Sequence, residues 1–195
     1  MIVTLLTNEN ILNSMCDNAR DACLICRGNL GTTEDTQKVL QNIIHLGHES
    51  ILEHINLIYC VRNLSRACLQ ELARHRHISL SVESTRHTLN KKLDNYDELY
   101  KNLMSVYQGF SYELAKKAVD ALIGLDLKND TLKYLVPELF LTNLFITANV
   151  RELRHIINLR TAPQALKEFQ TLARGFYEVI PDKFKYLFAG CIHGE

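Results

Sequence analysis

The alternation of apolar and polar positions predicts a chain made mostly of helices, with a few strands between them. Residues 2–6 are apolar and β-prone and read as a short strand. Helices follow over 10–26 and 33–46, the second with Thr33 or Asp35 available as its cap. Residues 54–62 are rich in β-formers and read as a strand. Residues 64–74 read as a helix with Leu64, Ala67, Cys68 and Leu72 on one stripe. Arg62, Arg66, Gln70 and Arg74 stack at i, i+4 along another. The Ser-rich stretch 79–84 is irregular or extended. A long amphipathic helix is expected over 95–122, then a turn near Gly124 and 128–130, and a short helix over 131–136. Residues 138–148 suit a buried strand or a buried helix, and the β-formers after Pro137 favour the strand. Helices over 149–159 and 163–180 follow, with Asn149 as an N-cap and Pro163 in a first turn. The pattern amounts to a helix-rich chain with a few strands, of a length that suits one domain over 1–195.

Composition narrows the class. The 195 residues are 47% hydrophobic and 23% charged, which is ordinary for a globular chain. A disordered tail, a collagen-like repeat and a generally basic chromatin protein are excluded. No window approaches the roughly 18–20 apolar residues of a membrane span. The first residues lack the basic region and cleavage pattern of a signal peptide, so a cytoplasmic location is expected. Three Pro and eight Gly force few breaks, in keeping with long helices.

Charge changes the picture more. Lys+Arg and Asp+Glu are equal at 22 each, yet they are segregated. Residues 1–61 carry a balance of −4, residues 62–92 carry +5 with three His, residues 93–150 carry −3 and residues 151–195 carry +2. A focused cationic block on a neutral chain suits a local anionic ligand, or else a solvated basic helix face. Its densest part runs from Glu71 through Arg74, His75, Arg76 and His77 to Ser84, Thr85, Arg86 and His87. Guanidinium forks beside hydroxyls are what phosphate recognition needs. A nucleic-acid-binding module is the rival, but the window 62–92 holds no aromatic residue to stack on a base.

Other groupings remain open. Cys23 and Cys26 form one C-x-x-C without a second pair, so small apolar helix positions are the plainer reading beside a metal or redox role. His45, His48, Glu49, Glu53 and His54 have spacings that invite a metal but lack H-E-x-x-H. Along 149–160, Val150, Leu153 and Ile157 mark a buried stripe, while Arg151, His155 and Asn158 share the opposite side. That side is either a polar ligand wall or an ordinary solvated face. There is no G-x-S-x-G, no phosphate-binding Gly loop and no Cys preceded by Pro.

Arg74-His75-Arg76, followed after seven residues by Ser84 and then Arg86, resembles the signature of the flavin-dependent thymidylate synthases. Gly47-His48-Glu49-Ser50 with Glu53-His54 resembles a segment upstream of that signature in the family. Asn149-Val150-Arg151 through Asn158-Leu159-Arg160 resembles a helix downstream. The resemblance covers about residues 15–180. It implies an enzyme that converts dUMP to dTMP without a protein nucleophile, using FAD, 5,10-methylenetetrahydrofolate as carbon donor and NADPH as reductant. It also implies an α/β fold of the α+β type, a single helix-rich domain with a central sheet flanked by long helices, and a homotetramer with active sites between subunits. By the same resemblance Ser50, Glu53, Arg74, His75, Arg76, His77, Asn149, Arg151 and His155 would contact FAD. Glu71, Arg74, Ser84, Thr85, Arg86 and Lys133 would bind dUMP. His48 would lie near the folate and flavin entrance, and Arg160 against the uracil. The chain departs from the family pattern at Cys26, Glu71, Val82, His87, Lys133, His155 and Gln164. A relative that binds flavin and nucleotide for another reaction is the alternative within the same class.

Overall fold

The computed structural model describes residues 1–29, 31, 34–106 and 110–194. Strands β1 (Ile2–Leu5), β2 (Asn56–Ser65), β3 (Ile78–Val82) and β4 (Leu141–Asn149) form an antiparallel sheet in the order β1-β2-β4-β3. The two inner strands are the long ones. On β2 the alternation of Leu57, Tyr59 and Val61 inward against Asn56 and Ile58 outward is the two-residue period of a strand. Leu144, Ile146 and Ala148 do the same on β4, so the choice of strand over helix there is correct.

Several expected boundaries move, each for a local reason. Residues Glu49–His54 form a 3-10 helix, so β2 starts after His54. β2 runs on to Ser65, whose Oγ accepts from the Cys68 backbone N–H at 3.0 Å. That cap sets the start of α3 (Arg66–Leu72), which is shorter than the expected 64–74 helix. Arg62 therefore lies on a strand and Arg74 beyond the helix end, and only Arg66 and Gln70 of the expected stack share α3. Within β2, Asn63 adopts a left-handed backbone with φ of 59°, and its N–H donates to Asn143 Oδ1 at 3.1 Å.

The chain divides into two compact units. One comprises Met1–Ile2, Val61–Arg74 and Leu80–Phe145. It contains α3, α4 (Thr85–Asp94), α5 (Tyr96–Val106), α6 (Phe110–Asp120) and α7 (Asn129–Leu132). Leu89, Leu103, Val119, Leu132 and Phe140 form its core. The expected 95–122 helix is two helices: the Tyr100 hydroxyl donates to Asp120 Oδ1, and Lys116 Nζ sits 5.2 Å from the Tyr100 ring centre. Residues 100 and 120 of one straight helix would stand about 30 Å apart. Residues 107–109 of that expected helix lie outside the described residues.

The other unit comprises Val3–Cys60, His75–Ser79 and Ile146–Glu195. It contains α1 (Glu9–Cys26), α2 (Thr36–His45), α8 (Val150–Thr161), α9 (Lys167–Glu178) and a 3-10 helix over Asp182–Phe188. Asn8 caps α1 by accepting from Ile11 N–H, and Asp35 caps α2 by accepting from Lys38 N–H. Thr33, the other expected cap, lies outside the described residues. Pro163 is in a turn before α9, not in its first turn; Gln170 Nε2 donates to the Pro163 and Ala165 carbonyls there. Where α9 closes on β1, a Cβ at Gly175 would lie 2.9 Å from Val3 Cγ2, so no larger residue fits without movement. All six cysteines are free thiols; Cys23 is buried and Cys26 exposed on the same helix. Burial pushes the Cys16 thiol up to about 11. Among the described residues, no helix is long and apolar enough to cross a membrane.

Candidate active site

Helix α8 organises one side of the site. Val150, Leu153, Ile156 and Ile157 are buried, which turns Arg151, His155 and Asn158 away from the core. Asn149 caps the helix, its Oδ1 accepting from Glu152 N–H at 2.8 Å. The Val150 N–H donates to the Ile55 carbonyl at 2.8 Å and ties the helix start to the residue after the first 3-10 helix. A cleft of about 690 Å³ opens there, lined by Glu49, Glu53, His77, Asn149, Arg151, Glu152, Arg154, His155, Asn158, Gly190 and Cys191. That size suits a small-molecule or cofactor site.

Two of the three carboxylates of the cleft pair with arginines, and the third faces an imidazole. Arg151 Nη1 donates to Glu53 Oε1 at 2.5 Å, an exposed pair. Arg154 Nε donates to Glu49 Oε1 at 2.9 Å, and its Nη1 donates to the Leu187 carbonyl at 2.6 Å. Glu152 Oε1 lies 3.3 Å from His75 Nδ1. That leaves Asn149, Asn158 and the remaining N–H groups of the half-exposed Arg151 as donors on the wall, groups that can meet phosphate or carbonyl oxygens. Burial pushes the Cys191 thiol up, further from a reactive thiolate.

His75 is buried, with both ring nitrogens engaged. Arg160 Nε donates to its Nε2 at 3.1 Å, and Nδ1 faces Glu152. The imidazole meets the rings of His155 and Phe169 edge-on at 5.8 and 5.9 Å, and the Arg160 guanidinium lies 4.6 Å from the Phe169 ring centre. Burial foremost, then the Arg160 charge, holds His75 below the usual histidine range, so it is neutral near pH 7.

Of the residues expected at a flavin, Glu53, His77, Asn149, Arg151 and His155 line this cleft. His75 stands behind the lining, against Glu152 and His155, with its ring nitrogens turned to Glu152 and Arg160. Ser50, His48 and Arg76 are exposed and stand outside the lining. Arg160 is half-buried against His75 and Phe169.

The residues expected at dUMP, apart from His48 and Arg160, belong to the other unit. Ser84 caps α4 with its hydroxyl not engaged in the cap, and Thr85 opens that ten-residue helix. The positive end of a helix and two hydroxyls are thus adjacent in sequence to Arg86. Arg86 is held by Asp130, Nε to Oδ1 at 2.6 Å and Nη2 to Oδ2 at 3.2 Å. Glu71, the departure from the family's Gln, pairs with Arg74 Nη1 at 3.3 Å. Lys133 Nζ lies 5.5 Å from the Tyr134 ring centre.

Glu152, Arg154, Gly190 and Cys191 of the lining carry no role in the expectations from sequence, and Glu49 entered them only in the spaced histidine group. Glu49 and Glu53 at spacing four, against Arg151 and Arg154 at spacing three, were a signal: two complementary charged faces. Gly190 and Cys191 offered none. Among the described residues, no three His, Cys, Asp or Glu side chains gather to hold a metal. Glu49 of the spaced histidine group pairs with Arg154 instead.

A four-stranded antiparallel sheet, a capped helix walling a polar cleft and an arginine–hydroxyl cluster at the start of α4 define a mixed α/β protein. Residues 9–184 match the family described as thymidylate synthase complementing protein. A flavin-dependent thymidylate synthase of Campylobacter jejuni (strain RM1221) is 33% identical over 207 aligned positions, covering 100% of this chain and 99% of that one. One from Helicobacter pylori (strain ATCC 700392 / 26695) is 35% identical over 159 positions, covering 74% and 76%. A crystal structure of the flavin-dependent synthase from Helicobacter pylori, complexed with FAD and dUMP, superposes with a TM-score of 0.83 at 30% identity, covering 98% of this chain and 100% of that one. The chain belongs to the thymidylate synthase complementing protein family, that of the flavin-dependent thymidylate synthases.

Proposed function

We infer that this chain is a flavin-dependent thymidylate synthase, acting on dUMP with bound FAD, with 5,10-methylenetetrahydrofolate as carbon donor and NADPH as reductant. We assign it to the cytoplasm as a homotetramer of single synthase domains with active sites at subunit interfaces. The observation that carries this reading is the cleft beside α8, where Glu49 and Glu53 are paired with arginines and Asn149, Asn158 and Arg151 keep N–H donors for a dinucleotide pyrophosphate. The residues present fit FAD: Asn149, Arg151, His155, His77 and Glu53 would hold it, aided by Ser50, Arg74 and Arg76. When bound, FAD supplies the redox chemistry, while the protein supplies position and electrostatics.

For dUMP, Ser84, Thr85, Arg86 and Lys133 meet the phosphate, and Glu71 with Arg74 meets the sugar or base. Arg160 sits against the uracil. Its charge favours loss of the N3 proton, because a neighbouring cation stabilises the anionic form of an acid. The ionised ring is richer in electrons at C5 and attacks the one-carbon unit without a protein nucleophile. His48, exposed, stands at the folate entrance.

The test is direct. The purified protein should be yellow, release FAD on denaturation, and form dTMP from dUMP, methylenetetrahydrofolate and NADPH. Bound flavin without dTMP would leave a relative with another reaction. A colourless protein that takes up no FAD, yet binds polynucleotide with a steep salt slope, would make it a nucleic-acid module. Sedimentation of an active monomer would remove the intersubunit site.

A further inference from the structure

We propose that Glu152 is a positioning residue of this enzyme, which acts through His75 to fix how Arg160 is presented to the substrate. The inference rests on the reading that places Arg160 against the uracil. The resemblance to the synthases gives Glu152 no role.

The geometry forms a chain of three groups. Glu152 and Arg160 are both on α8 but eight residues apart, about 12 Å along the axis. His75, from the segment before β3, joins them: Nδ1 is 3.3 Å from Glu152 Oε1, and Nε2 accepts from Arg160 Nε at 3.1 Å. A guanidinium has donors only, so Nε2 can serve Arg160 only as a bare lone pair. A neutral imidazole with Nε2 bare carries its hydrogen on Nδ1. The ionised Glu152 carboxylate, an acceptor only, selects that tautomer. The carboxylate thus acts across the ring on the orientation of the arginine, whose plane is further held over Phe169.

The charged groups facing His75 are Arg160, Glu152 and His155, all from α8, while α9 contributes the uncharged Phe169. Burial, Arg160 and His155 oppose the imidazolium, and Glu152 favours it. Protonation of His75 would turn an N–H toward the Arg160 N–H and break the link. Acid should therefore disable the enzyme through this ring. Removing the Glu152 charge should move that acid limb to lower pH, because the one group favouring the imidazolium is lost.

The experiment compares wild type, Glu152→Gln and Glu152→Asp. Imidazole ¹⁵N spectra of the purified FAD-loaded protein should show His75 with Nδ1 protonated and Nε2 bare, and lose that preference in Glu152→Gln, whose amide can turn either way. In the dTMP assay kcat should fall about ten- to a hundredfold, as expected when a reacting group is misplaced. KM for dUMP should stay within about twofold, as expected when the lost interaction is one made in the transition state. The acid limb should shift downward. Glu152→Asp should recover part of kcat. An Nε2-protonated His75 in the wild type overturns the proposal whether or not any variant folds. So does an active wild type whose Glu152→Gln variant keeps both kcat and the tautomer. A wild type that forms no dTMP overturns the functional reading first, and this proposal with it.

Discussion

Replacing Arg154 by Met keeps most of the aliphatic stem and removes the charge. The side chain is 11% exposed and its partner Glu49 30%. The substitution deletes a charged hydrogen bond to Glu49 and leaves the Leu187 carbonyl without its 2.6 Å donor. A charged hydrogen bond contributes about 1.5–3 kcal/mol, and a buried carbonyl left unpaired costs about 1–3 kcal/mol. These losses overlap, because Glu49 relaxes toward water, so the expected destabilisation is about 3 kcal/mol. For a chain of this length each kcal/mol lowers the Tm by roughly 2–4 °C, giving a drop of about 6–12 °C. Arg151, three residues earlier on α8, supplies the control. Its pair with Glu53 is about half exposed on both sides, and such a pair is worth about 0–1 kcal/mol. Arg151→Met should lower the Tm by no more than about 4 °C, and added salt should erase the difference. Thermal unfolding followed by circular dichroism on both variants, at low and high salt, makes the comparison. Equal shifts, or a drop below about 3 °C for Arg154→Met, would refute the reasoning that burial separates the two pairs.

Other consequences can be measured independently. Arg160→Ala should retain FAD but lose most turnover; undiminished turnover would take Arg160 out of the chemistry. Asp130→Asn loosens the hold of an exposed partner on the Arg86 guanidinium, so dUMP should bind more tightly in a titration. Weaker binding would mean that Asp130 orders the site instead of competing for it. Gly175→Ala, despite the better helix propensity of Ala, should lower stability by about 1–2 kcal/mol because Val3 must move; a stabilised variant would contradict the close approach of α9 to β1. His75 has a native pKa below its unfolded value, so the unfolded chain takes up the proton first as pH falls through about 6.5. Stability should drop through that window toward the native pKa, and His75→Asn should flatten the Tm-against-pH curve there.

What could be read in the sequence was local. Asn149 as a cap, the buried stripe of α8 and the strand after Pro137 follow from side-chain period and capping chemistry over a few residues. The break in the 95–122 helix did not, because the amphipathic pattern continues through it. The pairing of Tyr100 with Asp120 is tertiary. The start of α3 was misplaced because Leu64 fits either the strand or the helix stripe, and the Ser65 cap decides between them. The basic and hydroxyl residues of the site were visible as a block. Their acidic partners Glu152 and Asp130 were not, since each lies far along the chain from the group it serves. Sequence shows where positive charge accumulates; folding decides which of it is already neutralised.

The cap of α8 has a consequence for what kinds of molecule the cleft accepts. Asn149 lines the cleft, yet its carbonyl oxygen is committed to the Glu152 N–H. One lone pair of that oxygen is used, while both amide N–H groups remain to face a guest. An asparagine is ordinarily ambivalent, equally able to give or to take a hydrogen bond. Here the helix tilts that balance, and secondary structure biases the hydrogen-bonding polarity of this position: Asn149 offers an oxygen-rich guest two donors and a guest's N–H or O–H a single lone pair.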